Sequence, residues 1–449
     1  LNLIRSIPMA CECAICKNNK PFAFPKEIID AALDGELVLF CGAGISTESK
    51  NVLPYSFYTS IKNELDVKDE SVSFSDLMQL YCNQPNGRKK LLKRIRERFN
   101  YISSFPELER QATAFHQELA QIYPIRTIIT TNWDTYFEDY CGAIPITIPE
   151  DFAFWDDNSR CVLKIHGSIQ NLSSIIATSE DYKKRFSELQ NGIVGATLKS
   201  ILATKTVVFI GFSFGDEDFS QIINYLREEM GDIFPHIYIV TLDETLKDRL
   251  AYKNSTSIVT SGTFFLHQLK LQLIEKGIIK NHSVSPIVTE ALFEMEELHD
   301  KVSTIDLSQY PCAIYTLSYQ DGVIHAFERF LQNCKTGEYN QPGRLGRVAG
   351  KYEEWTENYL AAENYWDAAY YEGYVNGLVF IGACEGEDDI LSKFPFFFLP
   401  NVKKALSSYD IYMDELKRVS HGRSKFQKQA KEIVKAKAGN GLIVHHPPY

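Results

Sequence analysis

Two glycines separated by one residue, Gly42 and Gly44, follow the apolar run "LVLFC" near the start of the chain. Because glycine has no side chain, a turn of this kind lets the backbone approach a phosphate closely at the start of a helix. The usual dinucleotide fingerprint has a third glycine, and Thr47 stands in its place here. The turn therefore predicts a phosphate site only if other segments support it.

Three further segments place polar residues or glycines directly after apolar runs. A histidine can act as a general base near neutral pH, and an asparagine can orient a hydroxyl group or a water molecule. Two other interpretations remain open: Asn132 and Asp134 cap a helix beginning at Trp133, or His166 is a hydrogen-bonded structural residue. The segments "TTNWD", "KIHGS" and "GFSFG" contribute, in chain order, Thr131, Asn132 and Asp134, then His166, then Gly211 and Ser213.

Five apolar runs predict the strands that position these residues. Each run is continuous rather than alternating, which is typical of strands buried on both faces of a parallel sheet. Segments with helical spacing, such as "ELERQATAFHQELAQIY" and "DEDFSQIINYLREEM", lie between them. The pattern predicts a doubly wound, Rossmann-like α/β fold, whose strands end at one edge and can share one crevice. The predicted strands cover residues 37–41, 126–131, 161–167, 206–212 and 236–242.

The chain of 449 residues is long enough for two or three domains. We predict an N-terminal extension over residues 1–29, the α/β domain over 30–287, and a mostly α or α+β domain over 288–449. In this last region one helical face is predicted to carry large aromatic and small residues, which favours packing or a subunit contact over a cofactor site. Its members are Trp355, Tyr359, Ala362, Trp366, Ala369 and Gly373.

Charge and cysteine content exclude several classes of protein. The net charge of -11 disfavours bulk nucleic-acid binding, and we interpret the basic run between Lys417 and Lys437 as a solvated helix rather than a DNA-binding patch. The 10 cysteines are expected to be thiols. Cys11, Cys13 and Cys16 could begin a zinc site, but no fourth ligand is evident, so no metal is expected. With no signal peptide or membrane span predicted, we expect a cytoplasmic protein.

The motifs "GAGIS", "TTNWD", "KIHG" and "GFS", in this order, resemble the catalytic core of the sirtuins over about residues 30–285. The resemblance implies that the glycine turn binds the phosphates of NAD+, that the asparagine and aspartate contact its nicotinamide side, and that the histidine is the base. By position, the implied catalytic residues are Asn132, Asp134 and His166. The implied NAD+-binding residues are Gly42, Ala43, Gly44, Ser46, Thr131, Gly211 and Ser213.

Two departures from the deacylating sirtuins shape the predicted activity. No cysteine lies between Gly167 and Gly211, where those enzymes carry a four-cysteine zinc module. The segment "LPYSFY" stands where they have a Pro-Asp-Phe-Arg type of motif. The remaining pattern is similar to bacterial sirtuin-like proteins of antiphage defence, which implies an NAD+ glycohydrolase that depletes NAD+ and produces nicotinamide and ADP-ribose.

Several alternatives stay open at this point. The same pocket could serve an NAD-dependent protein deacylase, an ADP-ribosyltransferase, or a regulatory module that binds NAD+ or ADP-ribose without turnover. The resemblance also implies a homo-oligomer and a partner protein such as a HerA-like hexameric ATPase or an Argonaute-like sensor. No membrane and no direct nucleic-acid contact is expected.

Overall fold

The structure is a computed structural model, and it divides the chain into two compact units, Leu1–Ile279 and Lys280–Tyr449. No helix among the described residues is both long and apolar enough to cross a bilayer. The structure describes residues 3–4, 13–17, 19, 21–50, 52–155, 159–212, 224, 227–231, 235–245, 254–279, 285–333, 339, 343–384, 391–404 and 406–437.

A seven-stranded sheet in which every pairing is parallel organises the first unit. Its strands are β3 (Leu37–Cys41), β4 (Thr127–Thr130), β5 (Ile144–Ile146), β6 (Cys161–Lys164), β7 (Thr206–Ile210), β8 (Ile237–Thr241) and β9 (Ser255–Val259), and they lie in the order β5-β6-β4-β3-β7-β8-β9. The five predicted strands are confirmed, and the α/β prediction with them. Since the chain winds outward in one direction from β3 and in the other from β7, the crevice expected for a doubly wound sheet opens between these two strands.

The sequence did not reveal β5 and β9. Strand β5 has three residues with Pro145 at its centre, which removes a backbone donor. Strand β9 reads "STSIV", and most of its residues are only partly buried, so it lacks the apolar run that identified the other strands. A separate pair of two-residue strands, β1 (Leu3–Ile4) and β2 (Phe24–Pro25), is antiparallel.

Helices cover both faces of the sheet, as a doubly wound fold requires. Along β3, Leu37, Leu39 and Cys41 pack into one apolar cluster, whereas Val38 and Phe40 pack into another. The predicted helix over "ELERQATAFHQELAQIY" is confirmed as α6, while most of "DEDFSQIINYLREEM" lies outside the described residues. The helices are α1 (Ala14–Lys17), α2 (Lys26–Leu33), α3 (Phe57–Glu64), α4 (Phe74–Cys82), α5 (Gly87–Ser103), α6 (Pro106–Ala120), α7 (Tyr136–Cys141), α8 (Ser179–Asn191), α9 (Ile193–Thr204) and α10 (Gly262–Glu275).

The described part of the second unit is helical. It comprises α11 (Ser285–Ser303), α12 (Ala313–Asn333), α13 (Arg344–Ala361), α14 (Tyr365–Ala383), α15 (Tyr409–Ser420) and α16 (Lys425–Lys437). Charged residues of the C-terminal basic run, including Lys417, Lys428 and Lys435, are exposed on α15 and α16, as a solvated helix predicts.

The aromatic stripe was wrongly predicted to lie on one helix. Two helices carry it, because the Asn364 side chain accepts a hydrogen bond from the Asp367 amide at 3.3 Å and begins α14, while Glu363 takes a left-handed φ of 57°. Helical spacing continues across this break by coincidence. The packing interpretation is nevertheless confirmed, since Trp355 and Trp366 pack against the apolar core of the second unit.

Helices α12 and α14 approach each other through glycines. A Cβ atom on Gly373 would lie 1.9 Å from the Tyr319 carbonyl oxygen, and one on Gly322 would lie 2.0 Å from that of Tyr370. We expect Gly373→Ala to lower the free energy of unfolding by about 1–3 kcal/mol, because the helices must separate. Chemical denaturation followed by circular dichroism measures the change.

Gly350→Ala provides a matched control for that variant. Gly350 is also inside a helix, α13, and nothing lies within 4 Å of a Cβ built on it. Alanine should stabilise this position by about 0.5–1 kcal/mol through helix propensity. Equal effects of the two substitutions would contradict the close approach of α12 and α14.

Candidate active site

The glycine turn after β3 interlocks with the turn after β7. The Gly42 amide donates to the Ile210 carbonyl at 2.8 Å, and the Gly44 amide donates to the Gly211 carbonyl at 3.0 Å. A Cβ atom on Gly42 or Gly44 would lie 2.7 or 2.8 Å from the Gly211 oxygen. Gly211 itself has a φ of +79°, which other residues rarely adopt. These glycines are therefore required by turn-to-turn packing, whatever ligand the turns bind.

A buried polar network lies beside this turn. The Ser46 hydroxyl donates to Asp134 Oδ2 at 3.0 Å and accepts from Asn132 Nδ2 at 3.3 Å. The three residues are 0%, 2% and 4% exposed for Ser46, Asp134 and Asn132. Asn132 Oδ1 is buried, and no donor among the described residues reaches it. Since buried carbonyl oxygens are normally hydrogen-bonded, this atom can accept a hydrogen bond from a ligand.

The helix-capping alternative is correct only in part. Helix α7 begins at Tyr136 rather than at Trp133, with Thr135 as its N-cap residue. Asp134 Oδ1 accepts from the Tyr136 amide at 3.3 Å, so this carboxylate does contact the first turn of the helix. The Asn132 side chain instead faces Ser46, which keeps it available for a role in binding.

His166 occupies the equivalent position on the neighbouring strand. The β4–β6 register pairs Thr130 with Lys164, so Asn132 and His166 each lie two residues beyond the last pair. The imidazole belongs to a residue that is 5% exposed, and its ring centroid lies 5.1 Å from that of Tyr182 on α8. Gly167, with a φ of +80°, turns the chain immediately afterwards. The amide and imidazole side chains thus occur at matching ends of adjacent strands.

Sequence reasoning missed Lys164, which lies beneath the network. Its side chain is fully buried, and Nζ contacts the Asp134 carbonyl and lies 2.9 Å from Glu138 Oε1. Burial raises the pKa of both carboxyl groups, Asp134 and Glu138, and the Lys164 ammonium opposes the shift. A lysine inside the apolar run "CVLKIHG" was the available signal, because a buried ammonium requires partners.

A second missed group, Arg98 of α5, holds the segment that follows the glycine turn. Its guanidinium donates to the carbonyls of Thr47 at 3.1 Å and Tyr55 at 3.2 Å, and it lies 2.9 Å from Glu48 Oε1. Glu48 Oε2 in turn accepts from the Phe57 amide at 2.9 Å. The contacts hold Thr47, Glu48, Tyr55 and Phe57 together next to the turn. No sequence signal connects Arg98 to this segment.

The structure therefore brings together the predicted residues that it describes. Ser213 lies outside the described residues. The carboxyl ends of β3, β4, β6 and β7 carry Gly42, Ala43, Gly44 and Ser46, then Thr131, Asn132 and Asp134, then His166, and finally Gly211. Possible metal ligands occur in a separate group of the first unit, formed by Cys13, Cys16 and His267.

The raised pKa of Asp134 predicts a pH dependence of stability. Burial raises this pKa above its ordinary value, so the folded state binds the proton more tightly than the unfolded chain does. The contribution of this group to stability therefore falls as pH rises from about 4 through the folded-state pKa. We expect Asp134→Asn to flatten this fall, measured as the free energy of unfolding between about pH 4 and pH 7.

The exposed neighbour Asp139, which lies on α7, gives the control substitution Asp139→Asn. Its curve should run parallel to that of the unsubstituted protein. A curve for Asp134→Asn that is also parallel would show that burial does not penalise the Asp134 carboxylate.

A parallel, doubly wound sheet with polar side chains and glycines at four strand ends defines a Rossmann-like α/β domain. Residues 126–260 match the family described as SIR2-like domain. The chain thus contains a SIR2-like domain, as the sequence motifs predicted. A solved structure titled "Structural Basis for the Mechanism and Regulation of Sir2 Enzymes" covers 56% of this chain and 100% of its own at 14% identity, with a TM-score of 0.30 too low to support a conclusion.

Curated relatives are also similar to part of the chain. "NAD(+) hydrolase ThsA" of Cytobacillus dafuensis is 30% identical over 213 residues, which are 46% of this chain and 41% of that protein. "NAD(+) hydrolase ThsA" of Bacillus cereus (strain MSX-D12) is 27% identical over 296 residues, 64% of this chain and 59% of that protein. "Defense-associated sirtuin 2" of Bacillus subtilis is 24% identical over 231 residues, 49% and 22% of the two chains. The chain thus spans less than two thirds of each of these relatives.

Proposed function

We propose that this protein is an NAD+ glycohydrolase that cleaves NAD+ to nicotinamide and ADP-ribose and acts in antiphage defence by NAD+ depletion. The observation that carries the proposal is the buried Asn132 amide oxygen without a donor among the described residues, at the strand end next to that of His166. Relatives of the SIR2-like domain that are named NAD(+) hydrolase support the same conclusion.

The chemistry requires few protein groups. The nicotinamide ring of NAD+ is a cationic leaving group, so the site needs to hold the ribose, stabilise an oxocarbenium-like transition state and direct a water molecule. Water attacks the anomeric carbon, and the electron pair of the breaking C–N bond goes to nicotinamide. The proton from water passes to His166 and then to solvent. Asn132 orients the ribose hydroxyl or the attacking water through its side-chain oxygen, which accepts no hydrogen bond from the described residues.

Asp134 acts with Ser46 to fix this geometry. Its Oδ2 atom accepts a hydrogen bond from the Ser46 hydroxyl, and that hydroxyl accepts a hydrogen bond from the Asn132 amide. The carboxylate therefore orients the amide through one intervening group. The dinucleotide would extend over the interlocked turns, with Gly42, Ala43, Gly44, Ser46, Thr131, Gly211 and Ser213 as the binding residues. The amides of Gly42 and Gly44 already donate within the fold, so side chains and other amides must contribute to phosphate binding.

Unregulated hydrolysis of NAD+ would harm the cell that makes the enzyme, so the proposal includes control by assembly. The helical second unit is proposed to mediate homo-oligomer formation or to bind a partner protein, such as a HerA-like hexameric ATPase or an Argonaute-like sensor. The proposed place of action is the cytoplasm. NAD+ is the proposed substrate, and the proposed reaction uses no metal.

The test is to incubate the purified chain with NAD+, alone and with candidate partners, and to quantify nicotinamide and ADP-ribose. An acyl-lysine peptide in parallel reactions detects deacylation. Asn132→Ala should abolish nicotinamide release, whereas Asn83→Ala, at the exposed end of α4, should leave it unchanged. NAD+ that binds but stays intact under every condition would contradict the hydrolase and favour a binding module.

A further inference from the structure

The fold brings two cysteines of the N-terminal cluster to a distant histidine. The sulfur atoms of Cys13 and Cys16 and a ring nitrogen of His267 all lie within 4.8 Å of one another. Cys13 Sγ lies 3.4 Å from His267 Nε2, although the two residues are 254 positions apart. The group belongs to the first unit and is made of residues other than those of the candidate active site. Cys11, the remaining cysteine of the cluster, lies outside the described residues.

Local structure holds the two cysteines on the same side of the chain. Helix α1 begins directly after Cys13, and the Cys16 amide donates to Cys13 Sγ at 3.4 Å. A cysteine pair separated by two residues in such a turn is the usual half-site for tetrahedral zinc. The Ser261 hydroxyl, which caps α10, also donates to Asn19 Oδ1 at 3.2 Å. The segment that carries the cysteines is thus attached to the helix that carries His267.

A carboxylate orients the histidine. Glu118 Oε2 lies 3.2 Å from His267 Nδ1, and Lys270 Nζ lies 2.5 Å from the same oxygen. The His267 side chain is 9% exposed. When Nδ1 carries the proton and donates it in a hydrogen bond to Glu118, the lone pair of Nε2 faces the cysteines. Histidines that bind metals commonly donate their other nitrogen to a carboxylate in this way.

From this geometry we propose that Cys13, Cys16 and His267 bind a structural Zn²⁺ ion. Zinc is held at about 2.3 Å by sulfur and about 2.0–2.1 Å by nitrogen, so tetrahedral ligand atoms stand roughly 3.5–3.8 Å apart. The 3.4 Å between Cys13 Sγ and His267 Nε2 is close to that spacing. Both thiols lose their protons on binding, and the fourth tetrahedral position takes a further ligand or water.

The ion would connect the N-terminal segment to α10, which packs against the sheet through Phe265, Leu266 and Leu269. Its role is therefore structural, and it does not depend on the proposed hydrolysis of NAD+. The sequence singled out the cysteines as possible zinc ligands but not His267, which stands in an apolar helix with no motif around it.

The first test is metal content. The chain of residues 1–449, purified with a thiol reductant, should contain about one zinc ion per chain by elemental mass spectrometry. Cys13→Ser and His267→Asn should each lower this at least about tenfold, because they remove first-sphere ligands. Cys82→Ser, a half-buried cysteine of α4 outside the group, should keep the zinc.

A second measurement avoids the risk that the variants fold poorly. Chelator-treated, otherwise unchanged protein is titrated with Co²⁺, which gives an intense thiolate-to-cobalt absorption when cysteines bind it. We expect saturation at about one equivalent and displacement by Zn²⁺. A chain that is free of zinc and shows no thiolate absorption with Co²⁺, or variants that retain full zinc, would overturn the proposal. Neither readout requires NAD+, so failure here leaves the proposed function unaffected.

Discussion

Replacing His166 with alanine should lower the rate of nicotinamide release from NAD+ by about 100-fold or more, the range observed when a general base is removed. Binding of NAD+ should change much less, since the proposed role of the imidazole is to accept the proton of the attacking water. Single-turnover assays measure the first effect, and calorimetry measures the second. His421→Ala, at an exposed position after α15, is the matched control.

Adding imidazole to the His166→Ala variant distinguishes a general base from a structural residue at position 166. The ring packs against Tyr182, so its removal creates a space that small imidazoles can enter. Partial rescue of the alanine variant by added imidazole is expected if His166 accepts the proton. A folded variant with the unchanged rate of nicotinamide release would show that another group is the base.

The second large effect is expected from Lys164→Met. This substitution removes the ammonium that lies 2.9 Å from Glu138 Oε1 and leaves that carboxyl buried without its partner. Breaking a buried ion pair from one side costs about 3–5 kcal/mol of the free energy of unfolding. Denaturant unfolding followed by circular dichroism measures the loss.

The double variant Lys164→Met/Glu138→Leu tests the cause of that loss. If an unpaired carboxyl is responsible, removing it together with the ammonium should restore part of the stability, because apolar replacements of buried pairs are often tolerated. Lys184→Met, at an exposed position of α8, should have little effect. If the double variant instead loses the sum of the unfolding free energies lost by the two single variants, the pairing of Lys164 with Glu138 would be contradicted.

The sequence was sufficient for the strands that carry the site. Continuous apolar runs revealed β3, β4, β6, β7 and β8 because both faces of each strand are buried, and the polar residues directly after them could then be assigned to one edge. The local signal failed where burial is partial, as in β9, and where helical spacing continues across a helix break, as at Asn364.

Contacts between distant residues could not be obtained from the sequence. The Ser46–Asp134 hydrogen bond joins residues 88 positions apart. Both Arg98 and His267 reach their partners from helices that carry no motif. Their roles depend on the three-dimensional packing of α5 and α10, which local patterns of residue type do not encode.

The interlocked turns after β3 and β7 restrict how this site can diverge. The backbones of Gly42, Gly44 and Gly211 contact one another where the two turns meet, and a Cβ atom on any of them would lie within 3 Å of a neighbouring atom. Substituting one of these glycines therefore disturbs the turns themselves, rather than only changing which ligand they bind. Relatives with new ligand preferences are therefore expected to differ in side chains around the turns, such as those of the segment held by Arg98.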